Sequence, residues 1–538
     1  MTTLKDPVHG YIEVNDLERR VIDTPWFQRL KQVRQNDVSS TVYPTMHTRR
    51  FEHSLGAMHV AGKCVASALE GSNQAHRDRF LNALWNDLHP GQAFNDTAAR
   101  KASKQIARLY GALHDVGHPP FSHLLERAIP FARIYPARGD IVGEKAKKWH
   151  ELNGVDIVRT KIAPAVTADP EETLYLNTAA RLLLGQDLTP SLRGLQSLVD
   201  AVIDTDRMDF VARDGRASGA EFGVYDLTRL VDSFRIVIDE SNGAISKVHI
   251  RPSLKALSAV ESLLLERHKL YRWVFFHHRV MLAKALTRVV VEWLSAGLRD
   301  QRLEPTDYQA DNYYTQSPDR DYVLLGDNYV EQKLWRAFKA LAAPANDVEA
   351  RALSALRILL LRDRLAIALW KDRDEYEDFE RRLSARFRVI TSPPDGDAIE
   401  RKHGTYANWI GDYVAKLGDP ARGFFEKVSQ RLLANGTGWF LLEATEGFST
   451  KGKDELINAS GTQAVALAQF STVVRGVVES WRRDIHLYAF WVALRNDAVV
   501  RTSAVRENCR DRLAEAIVAT FSSDETEQNN LRGFLENG

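Results

Sequence analysis

Thiols are almost missing from this chain. Its 538 residues include 2 cysteines, Cys64 and Cys509. They lie too far apart for a metal-binding spacing and are too few for a disulfide framework, so both read as small buried hydrophobes in a reducing compartment. Neither sign of charge is in excess: 72 Lys+Arg against 71 Asp+Glu leave a net charge of +1. That balance argues against a broad electrostatic footprint for nucleic acid, while leaving room for a local basic pocket. Long apolar runs are lacking too. Stretches such as Ile358–Leu361 fall far short of the roughly 20 residues needed to span a bilayer. The opening Met1–Asp6 has no apolar signal core, so a soluble, cytoplasmic protein without a membrane partner is expected. Internal repeats and low-complexity tracts are absent as well.

What is present is mostly helical patterning. Apolar residues recur at spacings of three and four over 55–70, 104–114, 194–212, 253–298, 349–371 and 463–497, which predicts helices there. Two β-rich runs, Phe234–Asp239 and Ala244–Ile250, flank Asn242-Gly243 and predict a hairpin. Phe387–Thr391, ending at Pro393-Pro394-Asp395-Gly396, reads as a further short strand. The polar stretch 301–330 reads as a loop or lobe boundary, 70–104 as an added loop or helix, and 522–538 as a fraying tail. The expected fold is mainly α: a helical core with a β-hairpin over residues 1–300, then a mostly helical C-terminal lobe with a few short strands over 301–538.

The densest chemistry is the run His114-Asp115-Val116-Gly117-His118-Pro119-Pro120-Phe121-Ser122-His123. It follows a helix-like approach, and Gly117, Pro119 and Pro120 then bend the backbone. Imidazole and carboxylate at a helix end, with more imidazoles on a bent segment, suit a divalent metal beside a polar pocket. The bland alternative, a capped helix end with solvated histidines, sits poorly with three histidines in ten positions. Further ligands must come from elsewhere. His53 opens one helical pattern and Asp206 lies on another; singly they read as a core histidine and a solvated acidic face. Taken with His114 and Asp115 they give two imidazoles and two carboxylates. That mixed set fits one first-row divalent ion, or Mg, better than a thiolate zinc site. The sequence does not choose among Mn, Fe, Zn, Ni and Mg.

Five stretches together resemble the HD-domain deoxynucleoside triphosphate triphosphohydrolase family. They are Lys5–Ile12, Ile22–Leu30, Arg50–Gly56, His114–His123 and Asp204–Asp214, in the family's order; beyond about residue 300 the likeness fades. The resemblance implies an HD helical core and metal-dependent cleavage of a dNTP into deoxynucleoside and inorganic triphosphate, with additional Mg accompanying the triphosphate. His123 is then the expected acid for the leaving oxygen, with Glu126 three residues on to orient its ring. His118 and His150 are expected as phosphate or water contacts. Carried over position by position, Arg50 and Arg207 would hold the triphosphate, and Gln35 and Asp214 the sugar 3′ hydroxyl. Arg267, Tyr271 and Phe275 would wall the base and sugar, although Tyr271 and Phe275 equally suit an ordinary core stripe. Two departures bear on sugar choice: Asn36 stands where the family commonly has Leu, and Phe275 where it commonly has Tyr.

The family also implies a homo-oligomer, a tetramer or dimer of dimers, with a nucleotide effector. Asp23, Gln28 and Arg29 resemble part of one effector site, whereas Lys31 stands where Arg is common. Other functions compatible with the residues are an HD-type phosphodiesterase or nucleotide phosphatase, and a non-catalytic nucleotide sensor. The long match over 5–56 favours the triphosphohydrolase, and four intact ligands argue against the sensor. The pathway, nucleotide housekeeping or dNTP depletion in phage defence, stays open.

Overall fold

A computed structural model describes residues 2–128, 149–297, 314–316, 322–324, 326–390, 393–417, 419–432, 438–445, 456–459, 463–494, 502–523 and 529. The chain forms two compact units. One comprises residues 1–270, 304–330 and 451–477; the other comprises 271–303, 331–450 and 478–538. The fold is mainly α, with a few short antiparallel strands.

The first unit is built on helix Arg50–Gly71, which packs against helices Asp96–Leu113 and Thr205–Ala217. Each has a sequence reason to start where it does. The Asn95 side chain accepts from Ala98 N at 3.1 Å, and Asp204 accepts from Arg207 N at 2.8 Å; both are helix caps that satisfy otherwise orphaned donors. Arg50–Gly71 is buried on almost every side, through Leu55, Ala57, Met58, Val60, Ala61, Cys64 and Val65. Gly56 permits the close approach of the third helix, since a Cβ there would fall 1.8 Å from Asp209 Oδ1. The 70–104 stretch supplies its own helix, Gln74–Leu88. The expected hairpin forms as Phe234–Ser241 paired with Ala244–Pro252. Asn242 and Gly243 take φ of 53° and 77°, the left-handed pair that a tight two-residue turn needs. A second hairpin, Thr2–Asp6 with Gly10–Val14, had no comparable signal in the sequence.

Several helical expectations are corrected. The 194–212 pattern is two helices, Pro190–Gln196 and Thr205–Ala217. Asp204 interrupts it by accepting from Ala201 N at 3.0 Å as well as from Arg207 N, a local side-chain to backbone bond that competes with helix. In 349–371 the helix Asp347–Leu361 ends at Arg362 in the left-handed conformation, and Ala366–Ala368 is a strand. In 463–497 a 3-10 turn, Leu467–Gln469, and the α-helix Thr472–Arg482 stand between strands Gln463–Ala466 and Leu487–Ala493. Conversely, the strand expected at 387–391 is helix to Ile390. There Tyr376, Phe379, Leu383 and Phe387 bury one face of Arg373–Ile390 at helical spacing. Pro393 opens the next helix, to His403. Within 301–330 a short hairpin pairs Tyr314–Gln316 with Tyr322–Leu324; most of that stretch and of the tail 522–538 lies outside the described residues.

The second unit contains an antiparallel sheet with Leu487–Ala493 between Ala366–Ala368 and Gly438–Ala444. Helices Arg373–Ile390 and Ser503–Ser523 pack on one another. Among the described residues no helix is long and apolar enough to cross a membrane.

Candidate active site

Among the described residues, two clusters of side chains that could ligate a metal occupy the first unit. In one, ligand atoms of His53, His114 and Asp115 lie within 4.8 Å of one another. Asp206 joins them: its Oδ1 is 3.1 Å from His53 Nε2 and 3.9 Å from His114 Nε2. Asp115 Oδ2 stands 3.5 Å and 3.4 Å from the same two nitrogens. Three packed helices bring the four residues together: His53 from the first turn of Arg50–Gly71, His114 and Asp115 from the turn just past the end of Asp96–Leu113, and Asp206 from the first turn of Thr205–Ala217.

Both imidazoles are oriented from behind. His53 Nδ1 is 2.7 Å from Asp209 Oδ2, and His114 Nδ1 is 2.8 Å from Gly111 O. A proton on each Nδ1 leaves each Nε2 lone pair facing the carboxylates, the arrangement that outer hydrogen bonds impose on ligating histidines. Both Nε2 atoms are buried and make no hydrogen bond among the described residues. Burial alone would lower the His53 pKa, but Asp206 and Asp209 outweigh it and raise it to about 10, so without an ion the ring takes up a second proton, which a bound cation would displace from Nε2. Burial opposes ionisation of Asp206 and Asp115 as well. His53 holds Asp206 down at about 2, and Arg50, then His114 and His118, hold Asp115 well below the usual carboxylate range. Two nitrogens and two ionised oxygens aimed at one point, in a chain whose two thiols lie elsewhere, fit a hard or borderline divalent cation.

The second cluster is His118, His123, Glu126 and His150, again with ligand atoms within 4.8 Å. Glu126 accepts from both flanking imidazoles, 3.0 Å from His123 Nδ1 and 2.9 Å from His150 Nδ1. His118 links the clusters. Its Nε2 is 3.3 Å from Asp115 Oδ1, and its ring stacks on His150 at 3.8 Å between centroids. Burial lowers the His118 pKa well below normal, and Arg50 and His150 add to this. His118 is therefore a neutral donor to Asp115.

Not every expected contact points the same way. Arg50 is buried and pairs with Asp115 while its Nε donates to Ser122 Oγ at 2.8 Å. The Arg207 guanidinium bonds Asp204 and the Ala201 carbonyl. Asp214 is fully buried, and that burial raises its carboxyl to about 6 against a downward pull from Asn36 beside it. The buried Gln35 Oε1 accepts no hydrogen bond among the described residues. Arg267 is buried near the end of helix Leu257–Leu270, whereas Tyr271 and Phe275 belong to the second unit, edge to face at 5.2 Å in a π-helical turn. Arg29 is wholly buried and donates to the Val116 and His118 carbonyls at 3.2 and 2.5 Å, so within this chain it props the His-Asp run.

Asp209 was not singled out in the sequence. It bonds His53, His9 at 2.6 Å and Arg213 at 2.8 and 2.9 Å. The available signal was its place three residues after Asp206, on the same helix face.

No family model matches the chain. Over 294 residues, 54% of its length, it is 30% identical to an uncharacterized protein of Methanocaldococcus jannaschii, of which it covers 49%. It is 28% identical to the uncharacterized protein YwfO of Bacillus subtilis over 298 residues, 53% of this chain and 55% of that one. With the deoxynucleoside triphosphate triphosphohydrolase SAMHD1 of Mus musculus it shares 29% identity over 309 residues, 52% of this chain and 42% of that one. The chain thus spans about half the length of the curated relatives it matches. A crystal structure of a hypothetical protein from Aquifex aeolicus shares the fold, with a TM-score of 0.55 at 19% identity, covering 95% of this chain and 99% of that one. The matches bear out the resemblance to HD-domain dNTPases.

Proposed function

We propose that this relative of the HD-domain dNTPases is itself a metal-dependent hydrolase, converting a deoxynucleoside triphosphate and water into a deoxynucleoside and inorganic triphosphate. The observation that carries the reading is the convergence of two outward-braced imidazoles and two carboxylates, His53, His114, Asp115 and Asp206, next to the Glu126-linked histidines. Those four residues would hold the ion, whether Mn, Fe, Zn, Ni or Mg. When bound, it would supply Lewis acidity at a phosphoryl oxygen and ease deprotonation of water.

The chain's own residues account for the rest of the balance. A water oxygen bonds to the α-phosphorus and sheds one proton, which stays on the triphosphate product or passes to solvent; the bond from that phosphorus to the sugar 5′ oxygen breaks, and the leaving oxygen takes one proton. His123 holds that proton on Nε2, because its Nδ1 is engaged by Glu126. His118, neutral and fixed on Asp115, and His150, which shares Glu126, present ring edges to phosphate or water. Arg50 offers positive charge beside Asp115 for the triphosphate. Gln35 and Asp214 serve the sugar hydroxyl, while roles for Arg207, Arg267, Tyr271 and Phe275 toward phosphate, base and sugar rest on the resemblance. Nucleotide regulation and homo-oligomerisation belong to the same proposal.

Purified protein incubated with each dNTP and NTP in Mn or Mg should release nucleoside and intact triphosphate. Nucleoside diphosphate or monophosphate as first product rejects the reaction.

Sugar choice gives a second test. Asn36 adjoins Asp214, where a Leu would only exclude a 2′ hydroxyl and an amide can bond to it. We expect deoxyribonucleotides to be preferred by a reduced margin, and Asn36→Leu to sharpen the preference by about one to two orders of magnitude, or about 1–3 kcal/mol. Competition of dATP with ATP and of dGTP with GTP measures both proteins; an unchanged ratio removes Asn36 from the sugar site.

A further inference from the structure

We propose that Asp327, from the part of the chain where the family likeness has faded, is a positioning residue that sets the turn carrying His123; the role assigned to His123 rests on the hydrolase reading above. Asp327 is 2% exposed. Its side chain, at the start of helix Asp327–Ala340, ties two distant segments together. Oδ1 accepts from Phe121 N at 2.8 Å and Oδ2 from Arg34 N at 3.0 Å, across 206 and 293 positions of sequence. Oδ2 also stands 3.6 Å from both Arg34 Nε and Arg49 Nη1.

The turn it holds is strained. Phe121 and Ser122 both have positive φ, 52° and 53°, in the left-handed region that non-glycine residues rarely occupy and that persists only where the surroundings over-determine it. Ser122 adds a second tie, donating to Arg34 O at 2.6 Å and accepting from Arg50 Nε at 2.8 Å. Ser122 is also the first residue of the helix that presents His123 and Glu126. Gly326, just before Asp327, lets the backbone approach Gln32 closely, since a Cβ there would lie 2.2 Å from Gln32 Cβ. One buried carboxylate therefore fixes the exit of the His-Asp run against the segment that carries Arg34, Gln35 and Asn36. Releasing it lets the turn relax and the His123 ring move off line, while His53, His114, Asp115 and Asp206, held by other helices, stay.

The test uses Asp327→Ala and Asp327→Asn in the full chain. Asn keeps the shape but must turn an NH2 toward one of the two backbone N–H groups, so it should behave like Ala. For both variants we expect unchanged metal content, KM within about threefold, and kcat down by about tenfold or more, the scale of a small misplacement of a reacting group. In a His123→Ala background the same substitutions should cost nothing further, since they act through that ring; a structural role would cost in both backgrounds. Independently of turnover, the His123 ring signals in NMR spectra of histidine-labelled protein, assigned by their loss in His123→Ala, should shift in both variants while those of His9 stay. If the parent hydrolyses no nucleoside triphosphate but these signals shift, the hydrolase reading fails and the positioning of His123 stands. Unmoved His123 signals, an unchanged kcat, or a full additional loss in the His123→Ala background would overturn the inference.

Discussion

Asp206→Ala should strip the protein of its divalent ion and of hydrolysis together. In the proposed site the Asp206 Oδ1 lies 3.1 Å from His53 Nε2 and 3.9 Å from His114 Nε2. Its side chain is 30% exposed, so truncation leaves no sealed cavity and the fold should survive. An outer partner that only orients a ligand typically accounts for about 10–100-fold in metal affinity. Removing a ligand itself should exceed that, whereas Asp209→Asn, behind His53, should fall within it. Metal analysis after loading with Mn and desalting, with circular dichroism as a fold control, separates the three proteins. Full occupancy in Asp206→Ala would remove that residue from the ligand set and, with it, the geometry on which the hydrolase reading rests.

How much of this was legible beforehand depends on whether the signal was local. His114 and Asp115 stand out because the run around them is unlike a random surface, and the 234–252 hairpin because Asn-Gly has a conformational reason to turn. Leu487–Ala493 was hidden for the opposite reason. It is the middle strand of its sheet, buried at Leu487, Tyr488, Ala489, Phe490, Val492 and Ala493, and a strand buried on both faces shows no alternation to tell it from helix. The break at Asp204 was missed because the pattern of apolar residues says nothing about where one side chain will bond. Asp209 and Asp327 show the same limit. Each is an unremarkable carboxylate in sequence, and its role exists only because the fold sets it against His53, or against Phe121 and Arg34. The Arg29 case runs the other way. A motif match suggested an effector contact, and burial against two backbone carbonyls supplies a reason internal to the chain for arginine at that position.

The other large expected effect separates binding from chemistry. His123→Ala should retain the metal and bind nucleotide, yet lose about 10²-fold or more in kcat, the usual scale for a missing general acid. The geometry distinguishes His123 from the histidines proposed as ligands. Its side chain is 37% exposed where His53 is fully buried, and its Nδ1 is braced by Glu126 rather than by a residue behind the metal ligands. Glu126 is suited to that task. Burial pushes its carboxyl up, but His150 and then His123 hold it well below the usual carboxylate range, so it stays charged and favours a ring that carries the proton. The sign of the pH dependence follows: an acid must be protonated to act, so kcat should fall on the alkaline side as the ring loses its proton, and His123→Ala should lose that limb. Glu126→Gln keeps the shape and removes the charge, and should lower kcat by less than His123→Ala does. A His123→Ala protein that emerges from desalting without metal would mean that the ring is a ligand, and that the proton for the leaving oxygen comes from another group.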